Sequence, residues 1–556
     1  MQIMTRNITT AFIAGCMLLT SSCTKDILGK KPKDSISELD VWKDMSLVSN
    51  YATYFYSTLQ SGYSRNFYLC EATDDAIAAL DNDPYTIVPL TTDASWTPVN
   101  APFNDYYERL YRNIRKANDF LERIDAVPGD ADQRKQLKAE IRFFRAYYYA
   151  ELINYFSDDP VTAARILPSG AVRDAEKAWG VVLLDKTQVF GEDDLSVPRS
   201  TKGACIDFVV KELHEAATAF AQLPASYTKD AGRLTQGAAL GLKVRVLLYA
   251  GRFKDAAAAA REVMSLNRYQ LYPDYKTLFT VKNNQECIIS VQHNNIALER
   301  AHTLDKSVAP GSMSGQNAMC PTQNLVDEYE MTDGKLPAQS PLYNANDPYT
   351  GRDKRFYATI AYDGSSYRGR MLQLSEGGFD IVNSGAFKPR TRYVMRKGIN
   401  ESFNFLGDAS LGSDQNWQLL RYAEILLNYA EAQNEDAGPD NSVYETVNAI
   451  RRRAGQPALS AGLSQENMRA AIRHERRIEF AFEDQRFWDL RRWHIAHLPA
   501  AKEIYGTIIR KSADGATAYS RQTVQSRYFE LKNYCFPIPN ADVLSNRRME
   551  QNTLWK

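Results

Sequence analysis

The sequence predicts a mainly α-helical scaffold of antiparallel helix pairs, interrupted by long irregular loops and a few short β-strands. Three observations carry this expectation. Apolar residues recur at spacings of three and four over long stretches. Short connections with Gly or Pro join several of these stretches into pairs. Between them lie polar segments too long to be simple turns, because structureless loops beyond about 15 residues are uncommon unless they carry function. Helices are expected over 40–60, 103–126, 131–156, 203–222, 235–250, 254–266, 417–436, 441–454, 466–482 and 484–497. Short strands are expected at 286–292, 355–362 and 391–397.

The segment 235–264 is the most regular. A helix rich in small residues, then Tyr249-Ala250-Gly251-Arg252-Phe253, then an Ala-rich helix, has the pattern of a tetratricopeptide (TPR) unit. Small residues let the two helices approach closely, and Gly251 closes the first. The pairs 103–156 and 417–454 are weaker candidates for further units. The long loops, 61–102, 157–202, 292–324 and 333–416, are rich in Gly, Asn, Asp, Ser and Tyr, so binding is expected on them.

Lys plus Arg and Asp plus Glu both number 67, which leaves no basic excess for a nucleic-acid partner. The first 23 residues, MQIMTRNITTAFIAGCMLLTSSC, have a short basic start at Arg6, an apolar stretch over 8–19 and small residues before Cys23. This is the form of a secretory signal, with an apolar stretch below the roughly 20 residues of a spanning helix. Small residues before a Cys suggest a lipobox. Ile13-Ala14-Gly15-Cys16 fits a strict lipobox better, but cleavage there leaves a very short apolar region. Cys23 is therefore the preferred acylation site, with 1–22 as signal peptide and 23–40 as lipidated end and tether. Five further cysteines are widely spaced without a C-x-x-C. They form neither a disulfide framework nor a zinc site, although one disulfide is open.

No enzyme motif stands out. Gly311-Ser312-Met313-Ser314-Gly315 places Met at the centre of a would-be nucleophile elbow. His494-x-x-His497 has no third ligand at useful spacing. Glu475 and Glu479 lie one helical turn apart, crowded by Arg, and read as salt-bridged. No cofactor is expected. The carboxylates Asp74, Asp75 and Asp83 are conceivable calcium ligands, but no EF-hand spacing supports a structural Ca.

The C-terminal half carries segments in a specific order: PTQNLVDEYEMTDG from Pro321 to Gly334, RDKRFY from Arg352 to Tyr357, NWQLLRYAEILLNYAEAQNE from Asn416 to Glu435, VNAIRRRAG from Val447 to Gly455, HERRIEFAFEDQRFWDLRRW from His474 to Trp493, and Phe536-Pro537-Ile538-Pro539. In these segments the chain resembles the SusD/RagB family. Cys23, Asp26, Leu28, Trp42 and Arg145-Ala146-x-x-Tyr149 agree in the N-terminal half. Asn546-Arg547-Arg548 and Thr553-Leu554 depart from the family's usual ending. The resemblance implies an N-terminal region 41–280 with TPR-like helices and a C-terminal region 281–556. It implies a non-catalytic outer-membrane lipoprotein on the surface of a Gram-negative, Bacteroidetes-like cell. It also implies glycan capture and delivery to a SusC-like TonB-dependent β-barrel transporter, over which the protein sits as a lid. RagB-type members bind peptide instead. A surface glycoside hydrolase and a TPR interaction scaffold without a small ligand are the other readings.

A sugar site needs aromatic planes and polar groups at its rim. The first candidate segment, 63–106, supplies Tyr63, Phe67, Tyr68, Asp74, Asp75, Asn82, Asp83, Tyr85, Trp96 and Asn100. By resemblance, Trp96 and Asn100 stand where the starch-binding prototype places a sugar-contacting Trp and Asn. The alternative for Trp96 is a loop-anchoring core residue. The second segment, 292–319, supplies His293, Asn294, Asn295, Arg300, His302 and Asn317, with Arg300 and His302 suited to hydroxyls or a uronic-acid carboxylate. Tyr367 and Arg368 form a third candidate.

Overall fold

The computed structural model describes residues 38–64, 67–80, 96–166, 174–228, 232–295, 300–406 and 412–556. Ten helices of eight residues or more stand among them: α1 (Met45–Tyr56), α2 (Asn104–Arg123), α3 (Ala131–Phe156), α4 (Lys202–Ala221), α5 (Gln236–Tyr249), α6 (Phe253–Ser265), α7 (Tyr422–Ala437), α8 (Asn441–Ala454), α9 (Gln465–Glu479) and α10 (Gln485–Arg492). Their starts follow capping chemistry. Asp130, Thr201, Thr235, Asp440 and Ser464 each accept a hydrogen bond from a backbone N–H of the first turn.

Helices α2 to α7 pack in sequence, each on its neighbour, as a mainly α-helical, TPR-like succession of pairs. Helix α3 is the pivot. Its apolar residues lie on every face, so it must be covered all round, and α1, α2, α4 and α5 do so. Its tyrosines are buried but keep polar partners, with Tyr148 Oη 2.6 Å from Thr58 Oγ1 and Tyr149 Oη donating to the Leu184 carbonyl at 3.0 Å. Between α5 and α6, Gly251 adopts φ +73°, which any other residue would adopt with strain. In α5 a Cβ on Gly241 would stand 2.5 Å from Leu420 Cδ2, so a larger residue there would force the Leu420 side chain to move.

The principal core joins both halves of the chain: Leu420, Ile425, Tyr429, Phe487, Phe536 and Ile538 pack with residues from α1 to α6. Strands β1 (Cys287–Val291) and β2 (Trp417–Arg421) pair antiparallel, with Val291 opposite Trp417. Strands β3 (Glu503–Lys511) and β4 (Thr517–Ser526) form a separate hairpin. Three local expectations change. Residues 417–421 begin as strand and not helix, because β1 supplies the missing backbone partners. Of the strand expected over 355–362, only Ile360–Ala361 is strand, paired antiparallel with Val394–Met395; Lys354–Thr359 forms a short helix capped by Asp353, whose Oδ1 accepts from Arg355 N at 2.8 Å. His494 and His497 do not share a helix face, because α10 ends at Arg492; His494 faces Asp159 at 3.1 Å and His497 Nδ1 meets Tyr534 Oη at 2.6 Å.

The charge-dense stretch 474–493 folds inward as a buried ionic network. Arg421 reaches Glu286, Glu479 and Glu483, each at 2.6 Å. Arg355 reaches Asp353 at 2.8 Å, Glu475 at 2.6 Å and Glu479 at 3.1 Å. Lys397 reaches Glu483 at 2.6 Å. Such a network stabilises only when every member is paired. The five described cysteines are all unpaired thiols.

Asp484, which opens α10 at φ +62°, accepts a hydrogen bond from Cys70 Sγ at 3.4 Å. Burial pushes its carboxyl up to about 8, and the Glu483 charge adds to the shift against the opposing bond from Cys70. An Asp in the unfolded chain titrates near about 3.9. The protonated folded form therefore stabilises the protein below about 4, and this contribution is lost as pH rises towards 8, by at most about 1.4 kcal/mol per pH unit. Asp484→Asn is expected to flatten that slope and raise Tm at pH 8; an unchanged Tm–pH profile between 4 and 8 would refute the assignment.

Candidate functional site

The β1–β2 pair places two loops side by side. Residues 292–295, which leave β1, and 300–302 lie on one side, and residues 412–416, which enter β2, on the other. His302 and Ser413 exchange backbone hydrogen bonds at 2.9 and 2.8 Å. His293 N donates to Asn416 Oδ1 at 3.0 Å, and Lys282 Nζ ties Asp414 at 2.8 Å to the His293 carbonyl at 3.1 Å. A third loop, 396–406, joins through Asp305. That carboxylate is fully buried and accepts from Asn400 N at 2.6 Å and from Gln415 Nε2 at 3.0 Å. Arg368 lies 4.0 Å from Asp305, donates to the Asn400 and Phe403 carbonyls, and holds its guanidinium 4.6 Å from the Phe405 ring centroid.

His302 is the keystone beneath these loops. Its Nδ1 accepts from Leu304 N at 3.2 Å, so Nε2 carries the proton and donates to the Gln415 carbonyl at 3.0 Å. Tyr63 packs on one side with ring centroids 4.5 Å apart, and His293 meets it edge-on at 4.8 Å. Burial, then the neighbouring His293 ring, pushes His302 down to about 3; burial also lowers His293. Both rings are therefore neutral at pH 7. The cations left at the surface of this junction are Arg300 and Lys282, both exposed, with Asn295 and Leu406 also open to solvent.

The structure thus gathers His293, Arg300 and His302 of the second candidate segment with Arg368 of the third. The other candidates go elsewhere. Trp96 is 5% exposed; its indole packs on Phe536 at 5.7 Å and Trp555 at 4.8 Å, so its ring faces protein and not a sugar. Asp74 is also buried, in ion pairs with Arg477 at 3.0 Å and Arg486 at 2.8 Å. Burial alone would raise its carboxyl, but the two guanidinium groups outweigh it and hold it well below the usual range. Asp75 pairs with Arg477 at 2.9 Å through one oxygen. Asn100 closes a turn by accepting from Thr97 N at 2.6 Å. Tyr367 is fully buried, and so is Asn317. Tyr85, Asn82, Asp83 and Cys23 lie outside the described residues. Glu475 and Glu479 are 1% and 0% exposed, which removes them from any surface cleft. Lys282, Asp414 and Phe405 were missed. The Phe403-Asn404-Phe405 alternation inside a polar loop was the available signal.

Two family models match the chain. The SusD family model covers residues 279–555, and a second, described as starch-binding associating with outer membrane, covers 28–248. The chain belongs to the SusD/RagB family. A SusD-like protein, P38, of Formosa agariphila is 24% identical over 523 residues, covering 87% of this chain and 91% of that protein. Among solved structures, a SusD-like protein from Bacteroides fragilis superposes with a TM-score of 0.77 at 29% identity, over 94% of this chain and all of that one. A SusD-like carbohydrate-binding protein from the same species has a TM-score of 0.76 at 25% identity, over 92% of this chain and all of that one. This SusD/RagB member therefore shares the family's fold over more than nine-tenths of its length. No helix among its described residues is long and apolar enough to cross a membrane.

Proposed function

We propose that this SusD/RagB member is a non-catalytic binder of oligosaccharide or polysaccharide at the cell surface. Cys23, acylated, anchors it in the outer membrane, and it hands its ligand to a SusC-like TonB-dependent transporter. The observation that carries this reading is the loop junction. Three loops are pinned from below by Asp305, Arg368 and neutral His302, while Arg300 and Asn295 remain at the surface beside the half-buried Phe405. A rigid base under a polar, partly aromatic rim is what sugar recognition requires. The likeness to a carbohydrate-binding relative supports the ligand class. Tyr85 remains a proposed contact from the neighbouring segment. The salt-bridged state of Glu475 and Glu479 speaks against the hydrolase reading.

The test is affinity electrophoresis of the chain lacking residues 1–23 through gels containing plant, microbial and host polysaccharides. Retardation by one glycan is expected. Arg300→Ala with Phe405→Ala should weaken it about tenfold, the equivalent of about 1.4 kcal/mol. Retardation by none, with peptides bound instead, would replace the glycan reading with the peptide-binding one.

A further inference from the structure

A cavity of about 260 Å³ opens on the helical side of the molecule, between α3, α5, α10 and the segment 157–161. It shares no lining residue with the loop junction. Trp488 and Tyr249, both half-buried, supply ring surface. The volume falls just under the range of about 300–1,000 Å³ that suits drug-sized ligands, so it has room for a single small ring.

The charges in its wall are not all paired. Three acids face it, and each is engaged: Asp158 with Thr553, Asp159 with His494 at 3.1 Å, and Glu176 with Arg252 at 3.0 Å. Arg492 is likewise held, by Glu431 and Asp489. Arg491 is different. It is 8% exposed, its Nε has no hydrogen-bond partner, and its Nη1 reaches the Phe487 carbonyl at a long 3.3 Å. Its guanidinium lies 3.6 Å from the Phe487 ring centroid and has no carboxylate within salt-bridge distance among the described residues. Lys202, at the same cavity, makes no ion pair within 4.0 Å among the described residues, although its charge helps to lower the Asp159 carboxyl. Burial pushes Arg491 down to about 9, a measure of how unfavourable its uncompensated charge is. Other buried arginines in this chain are either paired with carboxylates, as Arg355 and Arg421 are, or donate to several backbone carbonyls, as Arg199, Arg352 and Arg527 do; Arg491 has only its one long bond. A buried guanidinium costs least when a carboxylate meets it in bidentate fashion.

We propose that this cavity is a second ligand site, distinct from the loop junction, which takes a small carboxylate. Arg491 receives the carboxylate, Lys202 adds long-range attraction, and Trp488 and Tyr249 pack against the remainder. The carboxylate could belong to a uronic acid or to the C-terminus of a short peptide, and the two are separable by experiment.

Isothermal titration calorimetry of the chain lacking residues 1–23 tests the proposal, with sodium D-glucuronate, glucose and dialanine as probes. Binding of glucuronate and not glucose is the expected result. Arg491→Met should weaken it at least about tenfold and, by removing an uncompensated charge, should raise Tm. Lys202→Gln, at a half-exposed position, should produce a smaller loss and serves if the first variant fails to fold. Binding of dialanine in place of glucuronate would support the carboxylate site with a peptide source. Absence of binding by both anions at millimolar concentration, or binding undiminished in either variant, would overturn the proposal. Gel retardation by polysaccharide reads the loop junction separately and should be unchanged in Arg491→Met.

Discussion

Arg421→Ala is expected to lower folding stability by about 3–5 kcal/mol, the cost of leaving buried charge without its partner. Arg421 is 1% exposed and faces Glu286, Glu479 and Glu483 at once. Its loss leaves those carboxylates with Arg453, Arg355 and Lys397 to share among them. A urea-denaturation midpoint checks the prediction, with Arg510→Ala as the control. The Arg510–Glu376 pair is 60% and 46% exposed, and exposed pairs contribute at most about 1 kcal/mol. Equal midpoints for the two variants would show that the network is not a stabilising unit. The network also sets acid sensitivity. Burial alone would raise the Glu479 carboxyl, but Arg453, Arg421 and Arg355 overcome it and hold it well below the ordinary value. Its contribution is therefore present above about pH 4.3 and is lost as pH falls below that.

Trp96→Ala is expected to destabilise the protein by about 3–5 kcal/mol, as large-to-small changes at buried aromatics do. The indole packs between the chain's 96–103 segment and its C-terminal end, where Phe536 and Trp555 meet it. Trp555 is in turn fixed by its Nε1 donating to the Cys535 carbonyl at 3.0 Å, so removing Trp96 loosens both segments together. Under conditions where the variant remains folded, glycan retardation should equal that of the parent. A variant of parental stability that has lost retardation would return Trp96 to the ligand site.

Helices whose apolar period is unambiguous were legible to within a residue or two, as at Ala131–Phe156 and Asn441–Ala454. There the pattern of burial repeats locally and needs no distant partner to be read. Residues 417–421 show the limit. Trp-Gln-Leu-Leu-Arg is an apolar run compatible with either element, and β1, contributed by another part of the chain, made it a strand. The β3–β4 hairpin went unread although Asp514-Gly515 is a turn signal, because its flanking residues alternate weakly in polarity.

The same division runs through the candidate site. Arg300, His293, His302 and Arg368 were visible as polar residues in long loops, and the order of motifs from Pro321 to Pro539 was enough to name the family. Whether a loop aromatic or carboxylate is wet or dry was not visible. Trp96 is dry because Phe536 and Trp555 cover it, and Asp74 is spent because Arg477 and Arg486 reach it. By itself the sequence determined the helical scaffold, through local periodicity and caps, and the family, through ordered motifs. Only the tertiary structure decided which polar and aromatic side chains remain free to meet a ligand, because burial and ion pairing are set by partners distant along the chain.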